Sequence, residues 1–488
     1  MDGGTPDAGP PATGVTVTLT RAAGVTGVKR INVALPLPPG TRTVDPTPAA
    51  RVNGAVVPTG SRVLARYRDG QARSVQVQFD APDGVTTADL ELDGSAPALA
   101  LVAVDTLLRA DTVGASAVRT PEVWVTLPSS FLVQSQVAGH LVEHAALTAA
   151  PLNAWRLNCD YQAYGTAAFA AAQGTQGTWL YDRGTVLYRG YAQTGDVSIL
   201  QAAWRETDLY RQSILAMTLP GSANNDLKYN YTQAMAIHYL LTGDDRFREA
   251  AETVAQRSVI AGYTGAISGS FWTERHAGFG LLANVYAARV SDDLAATFEN
   301  RARVIVDNLV AIQDTNVDLS AAPAAKQLDA QHRCFAHTPE AHDISEYVDL
   351  DSAQPATLVC SPWMSAIVAD GLEAYADDAD ATQRTRALNA VVRLGRRLGA
   401  GDNRGTDGRP HYLLGVDGAN APDAYDEHWG EVAQVVAMAY HYSGRTDDTL
   451  RTRALHHVDG FATLGTIGQI RSFNWQCRSG VATPFYLR

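Results

Sequence analysis

Charged and aromatic residues recur at the starts of successive helix-like runs in the second half of this chain. They are Tyr181, Asp182 and Arg183; Lys228, Tyr229, Asn230 and Tyr231; Trp272, Glu274, Arg275 and His276; Ser361 and Trp363; and Tyr425, Asp426, Glu427, His428 and Trp429. Capping a helix asks for one short polar side chain and at most a nearby Glu or Gln, so this density points to chemistry. In β-elimination at a uronic acid, a cation or amide neutralises the substrate carboxylate, a base takes the proton beside it and an acid protonates the leaving oxygen. Arg275 with Asn230 suit the first task. His276 with Tyr231 or Tyr229 suit the other two, given that Arg275 and Lys228 lower a phenol from its ordinary pKa of about 10. In glycoside hydrolysis two carboxyl groups flank the bond, roughly 5 to 5.5 Å apart for retention and 6.5 to 9.5 Å for inversion. Glu274 paired with Asp426 or Glu427 would supply them. Trp272, Trp363, Trp429, His428, Tyr181, Asp182, Arg183 and Lys228 are the candidates for holding sugar rings.

These residues need a frame that brings them together. Five runs end in an aromatic, a short turn and an acidic start to another helix, as in Y-A-Q-T-G-D to Asp196, Y-L-L-T-G-D to Asp244 and Y-H-Y-S-G-R-T-D to Asp447. The steps from Tyr191 to Tyr239 and from Tyr239 to Tyr286 are 48 and 47 residues, the length of one helical hairpin. One hairpin cannot bury its own apolar face, so several must stack or close into a ring. The first run of each repeat is rich in Ala, Gly and aromatics, and the second carries Arg and Glu at helical spacing, which predicts inner and outer helices. The expected fold is mainly α: an (α/α) toroid of five to six hairpins over residues 151–488. The starts of its inner helices would open on one shared cleft.

Residues 15–104 alternate as strands do, in V-T-V-T-L-T, V-L-A-R-Y and V-Q-V-Q-F, with turn signals at Pro36–Gly40, Arg68–Gly70 and Pro82–Gly84. This predicts a small antiparallel β-barrel or sandwich, followed by a linker over 105–150 that packs on both domains. The segments I-N-V-A-L-P-L-P-P-G (Ile31–Gly40), V-V-P-T-G-S-R-V-L-A-R-Y-R-D-G (Val56–Gly70) and S-V-Q-V-Q-F-D-A (Ser74–Ala81) resemble the N-terminal RIFT-type β-barrel of the rhamnogalacturonan exo-lyase family. The chain departs from that family in carrying Tyr67 rather than Trp near the D-G turn and in having no C-terminal β-sandwich. The resemblance implies an (α/α) toroid after the barrel and a carbohydrate-active class; it brings no catalytic motif.

The net charge of -12 and the lack of any Lys/Arg cluster argue against nucleic acid as a partner. No apolar run approaches the roughly 18 residues of a membrane span. Residues 1–14, rich in Gly, Pro, Ala and Asp, read as a disordered spacer. Cys334 and Cys360 bracket a long insertion, and Cys159 and Cys477 lie near the two ends of the helical region; both pairs are expected as disulfides, which suits a secreted, cell-surface or periplasmic protein. The insertion also carries His332, His337, His342 and Asp343 near Cys334, residue types that suit zinc at irregular spacing; a loop over the cleft is the simpler reading, and no metal or cofactor is expected. His238, in the middle of an apolar run, reads as a core histidine. Nucleotide and zinc-protease fingerprints are absent from the sequence. The reading is therefore a polysaccharide lyase, with a glycoside hydrolase and a non-catalytic glycan-binding protein as its rivals.

Overall fold

A computed structural model describes residues 14–41, 43–113, 116–172, 180–218, 226–258, 273–315, 331–336, 359–401, 403–404, 408–415, 421–422, 428–464 and 469–488. The expected N-terminal spacer lies outside these residues except for Gly14. The chain is mainly helical with an N-terminal antiparallel β region, as expected. Its strands are β1 (Gly14–Arg21), β2 (Lys29–Pro36), β3 (Ala49–Val52), β4 (Ala55–Val57), β5 (Thr59–Arg66), β6 (Ala72–Ala81), β7 (Thr87–Glu91), β8 (Leu108–Val113), β9 (Ser116–Pro121) and β10 (Val123–Thr126). They form a five-stranded sheet in the order β10-β1-β7-β3-β4, a three-stranded sheet β2-β6-β5 and the β8-β9 pair. Alternation sets the faces: Val17 and Leu19 point into the core while Thr16 and Thr18 face out. The β region runs past residue 104, because Val123–Thr126 pairs with β1 from Arg21 back to Thr18.

Four short helices follow, α1 (Ser129–Ser135), α2 (Ala154–Asn158), α3 (Tyr161–Tyr164) and α4 (Ala167–Ala172). Then come five hairpins: α5 (Arg183–Thr194) with α6 (Val197–Leu215), α7 (Gln233–Thr242) with α8 (Asp245–Arg257), α9 (Glu274–Val290) with α10 (Ala295–Thr315), α11 (Ser365–Asp378) with α12 (Ala381–Leu398), and α13 (Trp429–Tyr442) with α14 (Asp448–Thr463). Three short strands lie among the last hairpins, β11 (Val359–Cys360), β12 (His411–Gly415) and β13 (Ala421–Pro422), and the chain ends in α15 (Ile470–Gln476) and α16 (Thr483–Leu487).

In four of the five hairpins an Asp caps the second helix; in the fourth it is Asp380 rather than Asp378, which pairs with Arg73 and Arg289. Asp196, Asp244, Asp380 and Asp447 each accept a backbone N–H two residues on, opening α6, α8, α12 and α14. Gly195 and Gly243 end α5 and α7 at φ +67° and +71°. A side chain at Gly243 would also collide with the Gln76 amide at 2.6 Å, because here the helix meets the sheet. The junction is polar and satisfied: Asn32 Nδ2 donates to Thr242 O at 2.8 Å, and Ser74 Oγ donates to Leu240 O at 2.6 Å. Every residue of α7 is buried, whereas α8 and α12 bury one face. The first helix of each hairpin is thus the inner one, and these pack in succession, α5 on α7, α7 on α9, α9 on α11 and α11 on α13.

Both expected disulfides are present, Cys159–Cys477 and Cys334–Cys360. The first brings the tail against α2, and Arg478 then enters the space among the inner helices. Its Nη1 reaches Asp370 of α11 at 2.7 Å, its Nη2 reaches Gln233 of α7 at 2.8 Å, its carbonyl accepts from Arg189 of α5, and its guanidinium lies 5.2 Å from the Phe279 ring of α9. Among the described residues, no helix is long and apolar enough to cross a membrane.

The last turn of the tail covers a buried titratable group. His140 stacks on Phe485 at 4.8 Å and lies 3.6 Å from Asp377, while Glu373 accepts from the Tyr486 hydroxyl at 2.7 Å. Burial alone would lower the His140 pKa, but Glu373 and Asp377 outweigh it and raise the group from 6.5 to about 9. A histidine raised on folding contributes stability that is complete below its unfolded pKa and is lost as pH climbs through the folded one. The melting temperature should therefore fall between pH 6.5 and 9, and His140→Gln should flatten that slope. Parallel pH profiles for the two proteins would show that His140 contributes nothing.

Candidate functional site

Just before α5 the backbone takes a sparsely populated route, with Tyr181 at φ +69° and Asp182 at +58°. Such conformations cost roughly 1–3 kcal/mol each and persist only where the surroundings fix them. Here the Tyr181 amide donates to the Tyr231 hydroxyl at 2.9 Å, and Asp182 caps α5 through Thr185 N at 3.1 Å and Thr185 Oγ1 at 2.7 Å. The result throws the Tyr181 ring towards α9, where its hydroxyl accepts from Arg275 Nη1 at 3.2 Å.

Tyr181 is one panel of an aromatic wall. Trp363, before α11, packs edge-on to it at 5.8 Å and stacks flat on His428, before α13, at 4.4 Å and 3°. Trp475 of α15 lies 5.2 Å from Tyr181 and 4.9 Å from His428, with the Arg471 guanidinium 4.8 Å from its own ring. Tyr412 of β12 adds an edge, 5.8 Å from Trp363. Antiparallel pairing of β11 with β12 sets Tyr412, and the Cys334–Cys360 disulfide anchors β11. Ser361 N, next in the chain, donates to Glu274 Oε1 at 2.5 Å. The indole N–H groups of Trp363 and Trp475 are buried with no hydrogen-bond partner among the described residues.

Beside this wall sits a charged, proton-handling group. Asp226 Oδ2 lies 3.0 Å from Lys228 Nζ, and its Oδ1 lies 3.3 Å from His276 Nε2. His276 Nδ1 is 2.8 Å from Thr273 Oγ1. Burial would raise the Asp226 carboxyl, but the adjacent His276 and Lys228 pull it far below the usual carboxylate range. His276 is lowered: burial outweighs the pull of Asp226, so the ring is neutral at pH 7. Burial also raises the Tyr229 phenol, with Asp226 adding to it and Arg275 and Arg471 opposing, so Tyr229 keeps its proton. Arg275 is half-buried, and its Nε has no partner among the described residues.

The structure thus brings together Tyr181, Lys228, Tyr229, Arg275, His276, Trp363 and His428. Other candidates face elsewhere. Arg183 donates to Tyr164 O at 2.5 Å and lies 3.4 Å from Glu206 of α6, on the outer side. Trp429 also turns outward, against Gly460 of α14 and 5.8 Å from His456. Asn230 Nδ2 donates to Ser258 Oγ at 3.0 Å, Asp182 is spent as a cap, and Tyr231 donates its buried hydroxyl to Lys228 O. Burial holds Tyr231 well above the ordinary phenol range, outweighing the Tyr181 amide that lowers it. Glu274 is fully buried beneath Ser361. Trp272, Tyr425, Asp426 and Glu427 lie outside the described residues, as do His337, His342 and Asp343.

Cys334 is held in its disulfide, so it is not a thiolate for zinc. His238 is a core residue as expected, 2.6 Å from the Tyr188 hydroxyl and stacked on Phe247 at 3.6 Å. A group of three carboxylates, Glu252, Asp292 and Asp293, sits at the far end of α9, partly exposed, with Asp292 paired to Arg248.

Five residues of the cluster went unread in the sequence. Asp226 had a usable signal, being an acid two residues ahead of the K-Y-N-Y motif. Tyr412 and Arg471 had none, since only the tertiary fold brings them here; Trp475 lies in the tail whose Cys477 was expected to pair with Cys159. Glu431, in the first turn of α13, is buried with neither carboxylate oxygen hydrogen-bonded among the described residues, and lies 3.8 Å from His428 Nδ1. No protein-family model, curated protein or solved structure matches this chain, so its functional reading rests on the geometry of this cluster.

Proposed function

We propose that the chain is an exported carbohydrate-active enzyme that cleaves an acidic polysaccharide by β-elimination at a uronic acid. In this reading the five hairpins form an (α/α) toroid fronted by a RIFT-type barrel like that of the rhamnogalacturonan exo-lyase family, and the cluster described above lines its cleft. The observation that carries the reading is one cation beside two proton carriers held in opposite states, with an aromatic wall alongside. Arg275, helped by Arg471, neutralises the substrate carboxylate and so acidifies the adjacent C5–H. Neutral His276, oriented by Asp226 at Nε2, takes that proton at Nδ1, where substrate displaces the Thr273 hydroxyl. The electron pair forms the C4–C5 double bond, the bond from C4 to the glycosidic oxygen breaks, and protonated Tyr229 supplies the leaving oxygen with its proton. Environments that push two groups apart in this way are how acid and base roles are divided at one pH.

Glu431 favours a second reading. A buried carboxyl with no hydrogen-bond partner among the described residues, beside an aromatic wall, is a fitting general acid for glycoside hydrolysis. The two are separated by incubating the protein with uronate and neutral polysaccharides and following ultraviolet absorbance alongside reducing ends. Elimination gives both signals, and Tyr229→Phe and His276→Ala should each lower the absorbance rate by about 10²-fold or more. Reducing ends without absorbance, abolished in Glu431→Gln, would replace the lyase by the hydrolase.

A further inference from the structure

The groups of the candidate site that solvent can reach are mostly cations. Arg471 is exposed, and Lys228 and Arg275 are half-buried, whereas Tyr229, His276, Trp363, His428 and Trp475 are buried. In a chain of net charge -12 this is a local excess of positive charge. Asp226, also half-buried, is held by Lys228 at 3.0 Å and faces His276 at 3.3 Å, so Lys228 is already matched. Arg275 and Arg471 differ from it, because neither forms an ion pair among the described residues.

Each of these two cations is placed by its own ring. Arg275 Nη1 donates to the Tyr181 hydroxyl at 3.2 Å, and the Arg471 guanidinium lies 4.8 Å from the ring of Trp475, one turn on along α15. The two rings pack against each other at 5.2 Å. Both guanidinium groups oppose the rise of the Tyr229 phenol, so both lie within electrostatic reach of the proposed acid. A guanidinium is a planar fork that grips one carboxylate in two places. Two unpaired forks, one recessed and one at the rim, therefore suit two carboxylates rather than one.

We propose that Arg471 is a specificity residue that binds the carboxylate of the sugar next to the one undergoing elimination, so that the preferred substrate carries uronic acids on adjacent sugars. This rests on the lyase reading above. Arg471 adds its field to that of Arg275, but its own contact is with the second carboxylate. A polymer that alternates uronic acid with a neutral sugar leaves that contact unmade. Because Arg471 is exposed, the contact contributes a few-fold in rate and weakens as salt rises.

Initial rates by ultraviolet absorbance on matched polymers test this: polygalacturonate against rhamnogalacturonan, and polyglucuronate against hyaluronan. Each pair shares one uronic acid, which is contiguous in the first polymer and alternates with a neutral sugar in the second. In at least one pair the contiguous polymer should have the higher kcat/KM, by about fivefold, and the margin should shrink with added salt. Arg471→Gln should bring the margin close to one, chiefly through KM, and Arg471→Lys should keep part of it. An equal or lower kcat/KM on the contiguous polymer in every pair that is cleaved would overturn this inference and leave the lyase reading in place, as would a margin that survives in Arg471→Gln. No absorbance on any of the four polymers would overturn the lyase reading itself, and this inference with it.

Discussion

Arg275→Ala is expected to lower turnover on a uronate polymer by at least about 10²-fold, or about 2.7 kcal/mol of transition-state stabilisation, with the melting temperature little changed. The charge that builds on the carboxylate during proton removal needs a fixed cation in a partly dry site, where attraction is several times stronger than in water. Arg275 meets both conditions: it is half-buried, held by Tyr181, and keeps Nε without a partner among the described residues. Among the described residues its one hydrogen bond to a side chain, at 3.2 Å, is a modest contribution to folding. Arg275→Lys keeps the charge but loses the planar fork that grips a carboxylate in two places, so an intermediate loss is expected. Initial rates by ultraviolet absorbance check both variants. An Ala variant within about threefold of the parent would remove Arg275 from catalysis.

Asp370→Ala should produce the largest loss of stability, about 3–5 kcal/mol in a denaturant titration. Its carboxylate accepts from Arg478 Nη1 at 2.7 Å, Ser479 Oγ at 2.7 Å and Gln434 Nε2 at 2.6 Å, with Arg189 Nη1 at 3.8 Å. Both arginines are buried, so the truncation leaves two guanidinium groups in the interior without their shared counter-charge. Asp370→Asn keeps the shape and some hydrogen bonds and should cost less. A loss below about 1 kcal/mol for the Ala variant would mean that water or other acceptors replace the carboxylate.

Where a feature depends on neighbours in the chain, it could be read directly. The G-D turn is such a case, because a left-handed Gly and an N-cap Asp act within one helical turn, and the Arg-bearing faces of α8 and α12 mark outer helices by local periodicity. The strand at Val123–Thr126 falls in what the sequence reads as a linker, and its place in the sheet was not legible, since β1 lies about a hundred residues earlier. The pole of the candidate site followed from helix direction, but side-chain aim did not. Successive helical positions point about 100° apart, so Trp429, adjacent to His428 of the cluster, turns to an outer helix, as does Arg183 at the start of α5. Arg471 and Trp475 arrive with a tail whose anchor, Cys477, is bonded 318 residues away; that pairing was readable from the two cysteines at the ends of the helical region, but not which side chains the tail would deliver.

That same bond makes most of the helical region a covalent circle. A protease cut at any single peptide bond between Cys159 and Cys477 leaves two fragments that remain one molecule, because each end of the circle holds the other. Unreduced, the nicked protein would keep the mass of an intact chain, apart from the water added, and the tail carrying Arg478 would stay tethered to its place among the inner helices. A reducing gel would reveal the cut.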